Sequence, residues 1–211
     1  MRPHRYDAVL FDLLTALLDS WSLWNSVAGG ETAGRQWRTA YLRRTYGAGA
    51  YRPYETLVAE AAAEVGLDSR LADDLSARYG ELSPWPGVEG ELTRLSAAGT
   101  RLGVATNCFA ALGRIALGCV GAAFDVLVTA ERVGFYKPEP APYRLALSEL
   151  GVATERCLFV AGSAYDLTGA SRVGLDIWWH DRVGMAKPPE APKPLRHTRD
   201  LAGLADFVLA D

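Results

Sequence analysis

The sequence predicts an α/β fold, a doubly wound parallel sheet with a helical segment inserted after the first strand. Three observations predict it. Short apolar runs alternate with helix-period segments through the second half of the chain. Three of the runs stop at polar residues, as strands do where an open parallel sheet meets its ligand. No strand signal appears between Leu18 and Pro84.

The first element is Ala8-Val9-Leu10-Phe11, a continuous apolar run of the kind seen in strands covered on both faces. It ends at Asp12. An isolated buried carboxylate is costly unless it is paired, so Asp12 is either a turn residue or a reactive group. Trp21 and Trp24 follow. A helix over 34–44 puts Trp37, Tyr41 and Arg44 on one face and Arg38 and Leu42 on the next. Helices over 53–65, closed by Gly66, and over 69–79 come next. Ser83-Pro84-Trp85-Pro86-Gly87-Val88 is dense in turn residues and reads as a hinge. Residues 1–18 and 87–211 are therefore expected to form the α/β core, and 19–86 a helical cap.

Past the hinge the alternation resumes. A helix over 88–98 closes at Gly99, and a strand over 101–105 ends at Thr106-Asn107. A helix over 109–119, a strand over 124–128, a loop holding Lys137-Pro138 and a helix over 141–150 follow. A strand over 156–161 runs into Gly162-Ser163-Ala164-Tyr165-Asp166, before a helix over 167–173 and a strand over 176–180. Asp166 also suits the cap of that helix. The proline-rich 188–194 reads as a stiff connection, and 200–209 as a closing helix.

Composition narrows the function classes. The 211 residues are 49% hydrophobic and 22% charged, the profile of a soluble globular protein. A net charge of −3 gives no general nucleic-acid surface. The apolar runs fall short of the ~20 residues that span a bilayer. Met1 to Asp7 leads straight toward the first strand with no signal-peptide core. Cys108, Cys119 and Cys157 are odd in number and widely spaced, which fits neither a metal site nor a disulfide framework and favours a reducing cytoplasm.

Asp12, Thr106, Lys137 and Asp166, in this order and strand context, resemble the four motifs of the haloacid dehalogenase superfamily. Within it the chain is most similar to the metal-independent 2-haloacid dehalogenases. Trp37-Arg38 stands in the insertion helix as in that family, and Thr106-Asn107 replaces its Ser-Asn. Tyr136-Lys137-Pro138 is followed by Tyr143. Phe-Val-Ala-Gly-Ser-Ala-Tyr-Asp-Leu-Thr-Gly-Ala over 159–170 is similar to the family's Phe-Val-Ser-Ser-Asn-Ala-Trp-Asp-Ala-Thr-Gly-Ala.

The resemblance implies a Rossmann-like core with a helical cap. It also implies a cytoplasmic, homodimeric hydrolase that needs no cofactor and has no nucleic-acid or membrane partner. Its substrate would be a small anionic 2-substituted carboxylic acid, attacked at the α-carbon. Asp12 would attack and form an ester, which water hydrolyses at the aspartate carbonyl. Lys137 would keep Asp12 ionised. Asp166 would orient Lys137 or help position the water. Thr106 and Asn107 would hold the substrate carboxylate, and Arg38 would receive the departing anion. Tyr143 would pack against Lys137 or donate into the site, with Leu14, Thr15 and Ser163 completing the surroundings.

The chain also departs from that pattern. Asp12-Leu13-Leu14-Thr15-Ala16 stands where the dehalogenases carry Asp-x-Tyr-Gly-Thr, so the expected hydroxyl is missing at Ala16 and Thr15 offers one a residue early. Ala161 and Ser163 replace a serine and an asparagine. These changes imply a different leaving group or weaker dehalogenation, and they leave other readings open. One is opening of a strained azetidine ring next to a carboxylate. Another is a Mg²⁺-dependent phosphatase, against which Leu14 stands where a second aspartate is needed. A third is a catalytically weakened member that binds a carboxylate.

Overall fold

In a computed structural model that describes residues 4–210, strand β1 (Ala8–Phe11) is wholly buried. Val9 and Phe11 enter one hydrophobic cluster and Ala8 and Leu10 another, because alternate strand residues face opposite sides of a sheet. A π-helical turn, Leu13–Leu17, follows Asp12. Four helices follow before the turn-rich 83–88: α1 (Ser20–Val27), α2 (Glu31–Ala48), α3 (Tyr54–Glu64) and α4 (Leu71–Ala77). The alternation resumes with α5 (Val88–Ala97), β2 (Arg101–Thr106), α6 (Ala110–Gly118), β3 (Val126–Thr129), α7 (Ala130–Val133) and α8 (Pro140–Leu150). It closes with β4 (Cys157–Ala161), α9 (Asp166–Arg172), β5 (Asp176–His180), β6 (Arg196–Thr198) and α10 (Leu204–Leu209).

The six strands form one sheet in the order β3-β2-β1-β4-β5-β6, every neighbouring pair parallel. Phe11 lies in register with Val104 of β2 and Val160 of β4. The chain direction across the sheet reverses at β1, and ligands of such sheets sit beyond the strand ends at that reversal. Asp12 is the residue that leaves β1 there.

The helices before α5 are joined by aromatic packing. Trp24 of α1 meets Trp37 of α2 with ring centroids 4.5 Å apart, and Tyr41 of α2 meets Tyr54 of α3 at 5.4 Å. Single β-bridges, Leu18 to Pro84 and Ala50 to Phe135, tie this segment to the remainder.

The structure differs from the sequence reading in several elements. The helix expected over 34–44 extends to Glu31–Ala48, with Glu31 and Arg35 pairing one turn apart at its start. It runs through Gly47, an exposed glycine of low helix propensity. Helix α1 was not expected, nor was the single turn of α7. Strand β6 reads Arg-His-Thr and is largely exposed, so it carries no apolar alternation, and only pairing with β5 defines it. The closing helix starts at Leu204 rather than at 200. Met1 to Pro3 and Asp211 lie outside the described residues, so the outermost ends of the expected core range do too. No helix among the described residues is long and apolar enough to cross a membrane.

Candidate active site

Asp12 caps the π-helical turn with its own side chain. Its Oδ2 accepts hydrogen bonds from the Thr15 amide (2.8 Å), the Thr15 hydroxyl (2.6 Å) and the Ala16 amide (3.3 Å). Thr15 therefore supplies a hydroxyl to the carboxylate although it stands one residue early. The turn is braced from outside by the Trp85 indole N–H, which donates to the Thr15 carbonyl, and by His180 Nδ1, 2.8 Å from the Ala16 carbonyl oxygen.

The other Asp12 oxygen faces Lys137. Nζ of Lys137 lies 2.7 Å from Asp12 Oδ1 and 2.9 Å from Asp166 Oδ1, and the lysine has no solvent exposure. Burial alone raises a carboxylate pKa, but the ammonium and the hydrogen bonds from Lys137 and Thr15 outweigh it and hold Asp12 below its ordinary value. Burial likewise opposes the charge on Lys137, and the two carboxylates outweigh it and raise its pKa. Asp166 goes the other way. Burial, opposed by Lys137 and reinforced by the charge of Asp12, pushes it up to about 6.

Lys137 is held through its backbone. Asn107, just past β2, accepts from the Lys137 amide through Oδ1 (2.8 Å) and donates Nδ2–H to the Lys137 carbonyl (3.1 Å). The Asn107 side-chain amide is thus engaged with the lysine rather than turned to a ligand. Its backbone carbonyl in turn accepts from the Tyr41 hydroxyl of α2 at 2.8 Å. Thr106 is buried, with its hydroxyl 3.6 Å from the Cys108 thiol.

Helix α2 brings Arg38 over this group. The guanidinium lies 5.3 Å from the Trp21 ring and 5.0 Å from the Trp24 ring. It is 1% exposed, and its Nε and Nη1 have no hydrogen-bond partner. A buried guanidinium with unfilled donors is costly by itself and fits an anion.

A cleft of about 260 Å³ brings together Asp12, Leu14, Thr15, Arg38, Thr106 and Asn107. Four expected residues do not line it: Lys137 and Asp166, which lie behind Asp12, and Tyr143 and Ser163. Tyr143 packs edge-on to Phe159 and donates to Asp166 Oδ1 at 3.2 Å. Ser163 is buried, and its hydroxyl accepts from the Tyr165 amide. Tyr41, Leu42 and Tyr46 line the cleft and were not singled out for it. The signal was helical spacing, since Arg38, Leu42 and Tyr46 recur at i, i+4 and i+8, but the expected helix ended at 44.

A family model described as haloacid dehalogenase-like hydrolase matches residues 6–174. In sequence the chain is 29% identical over 219 aligned positions to (S)-2-haloacid dehalogenase H-109 of Pseudomonas putida, covering 96% of this chain and 98% of that protein. The fold is similar to that of L-2-haloacid dehalogenase from Xanthobacter autotrophicus with chloropropionic acid covalently bound. There the TM-score is 0.85 at 22% identity, over 97% of this chain and 99% of that one. A dehalogenase structure with an intermediate complex gives a TM-score of 0.84 at 26% identity, over 99% and 100% of the two chains.

Proposed function

Because the chain belongs to the haloacid dehalogenase-like hydrolases, we propose that it is a 2-haloacid dehalogenase-type enzyme. It displaces a leaving group from the α-carbon of a small 2-substituted carboxylic acid. The observation that carries this is the buried Lys137 ammonium between Asp12 and Asp166. It keeps Asp12 ionised, which is what a carboxylate nucleophile requires.

In this reading Asp12 attacks the α-carbon, the C–X bond breaks, and Arg38 takes the anion on its unfilled donors. Thr106 and the backbone amides past β2 hold the substrate carboxylate, and Leu14 packs against its carbon chain. Water then attacks the Asp12 carbonyl of the ester, with Asp166 as base and Tyr143 and Lys137 fixing that carboxyl. The π-turn hydrogen bonds from Thr15 orient Asp12 throughout, and Ser163 holds the loop before α9. Residues 19–86 act as a cap that carries Arg38 to a core formed by 1–18 and 87–211.

The donor set does not fit a divalent cation. The Lys137 ammonium already occupies the space between the two carboxylates, and Leu14 offers no oxygen where an octahedral ion needs several. Three free cysteines suit a cytoplasmic enzyme, and light scattering tests the homodimer that the family likeness implies.

The deciding experiment is single turnover with excess enzyme in ¹⁸O-labelled water. The substrates are 2-chloropropionate, azetidine-2-carboxylate and an aryl phosphate, each with and without chelator. We expect ¹⁸O in the Asp12 peptide with 2-chloropropionate, unaffected by chelator. Label only with the azetidine acid would move the leaving group from halide to amine. Label in the phosphate released from the aryl phosphate, only with Mg²⁺ and with none in the Asp12 peptide, would replace the proposal by a phosphatase. No label, with a ligand-dependent rise in Tm, would leave a carboxylate-binding protein.

A further inference from the structure

The hydrolytic half of the reaction has an unfilled position in this chain. Where the dehalogenases carry a serine and an asparagine, Ala161 has no polar group and the Ser163 hydroxyl is committed to the Tyr165 amide. Asp166 has no solvent exposure and is not among the residues lining the cleft. Its Oδ1 is filled by Lys137 and Tyr143, whereas its Oδ2 has no hydrogen-bond partner although it is buried. A buried carboxylate oxygen left open costs free energy unless something is delivered to it.

One side chain reaches both sides of this gap. Tyr46, near the C-terminal end of α2, lines the cleft beside Asp12 and packs against the residue that precedes Asp166. Its ring stacks on Tyr165 with centroids 5.3 Å apart and planes 26° from parallel, which fixes the direction of the hydroxyl. Burial, with the charges of Asp166 and Asp12, raises its pKa well above the usual value, so the phenol stays protonated and able to donate.

We propose that Tyr46 is the proton relay between the hydrolytic water and Asp166, an inference that rests on the aspartyl-ester reading above. As the water oxygen bonds to the Asp12 carbonyl carbon, one water proton passes to the Tyr46 oxygen while the phenolic proton passes to Asp166 Oδ2. When the tetrahedral intermediate collapses, the bond from the Asp12 carbonyl carbon to the substrate oxygen breaks. The departing alkoxide takes the proton back from Asp166 through Tyr46 and leaves as the 2-hydroxy acid. The second water proton leaves Asp12 for solvent as its carboxylate is restored. The relay is a catalytic role, since Tyr46 touches the reacting water, and a residue of the helical insertion thereby completes a site built on the sheet.

The test is Tyr46→Phe, which keeps the ring and its stack on Tyr165 and removes only the hydroxyl. Rapid-quench chloride release from 2-chloropropionate and intact-protein mass are followed together in the full-length variant and wild type. We expect one chloride per site at the wild-type rate, then ester hydrolysis slowed about 100-fold. The 2-carboxyalkyl adduct should accumulate on the Asp12 peptide. Ester hydrolysis at the wild-type rate in the variant would overturn the relay. So would equal slowing of chloride release and hydrolysis, because a packing role affects both steps. If wild type itself releases no chloride and shows no Asp12 ester, the dehalogenase reading fails, and the relay falls with it.

Discussion

The Asn107 side chain closes a two-hydrogen-bond ring on the backbone of Lys137, accepting from its amide at 2.8 Å and donating to its carbonyl at 3.1 Å. The lysine that spans both carboxylates is thus placed by a residue at the end of a different strand. Asn107→Asp keeps the size and the acceptor but turns the donor into an oxygen facing the Lys137 carbonyl. The lost and repulsive contact is expected to lower stability by about 1–3 kcal/mol. Displacing the ammonium is expected to slow ester formation about 100-fold. Thermal melts and burst kinetics on the variant check both, and a wild-type burst would show that the ring is dispensable.

Gly162 sits where the loop after β4 crosses the turn after β1. A Cβ at this position would overlap the backbone of Thr15 and Ala16. Gly162→Ala therefore has to push the turn that supplies three hydrogen bonds to Asp12. We expect a loss of about 1–3 kcal/mol in stability from overpacking. Asp12 ester formation should also be slowed, which quench-flow in the folded variant measures. Unaltered ester formation would mean that the turn absorbs the methyl group.

Asp166 and Asp12 are pushed in opposite directions, and this separates the two half-reactions by pH. Asp12 is held below its ordinary value of 3.8, so it stays ionised through mildly acidic solution. Asp166 is raised to about 6 by burial and acts as base only when deprotonated. Ester hydrolysis should thus fall as pH drops through the Asp166 pKa and reach a plateau above it, with the midpoint below the free-enzyme value of about 6 because the ester removes the Asp12 charge that helps raise it. Ester formation should stay flat over the same range. Pre-steady-state profiles of the two steps check this. A shared acid limb would place both protonations on one group.

The sequence by itself determined five of the six strands and the order of the polar stations along them. A continuous apolar run such as Ala8 to Phe11 has to be buried on both faces, and a charged residue that ends it has to lie beyond the strand's carboxyl end. Asp12 and Thr106 were legible for that reason, whereas Lys137, Asp166 and Arg38 were singled out by the resemblance to the dehalogenases. Tertiary structure alone decided which hydrogen bonds these residues make. Asp12 meets Lys137 across 125 residues of chain and Asn107 meets Lys137 across 30, separations that no local period reports. It also turned Thr15 toward Asp12 and Ser163 away from the cleft, and it carried α2 far enough to add Tyr46. Strand β6 stayed hidden because an exposed edge strand is held by backbone pairing to its neighbour, and backbone pairing leaves no pattern in the side chains.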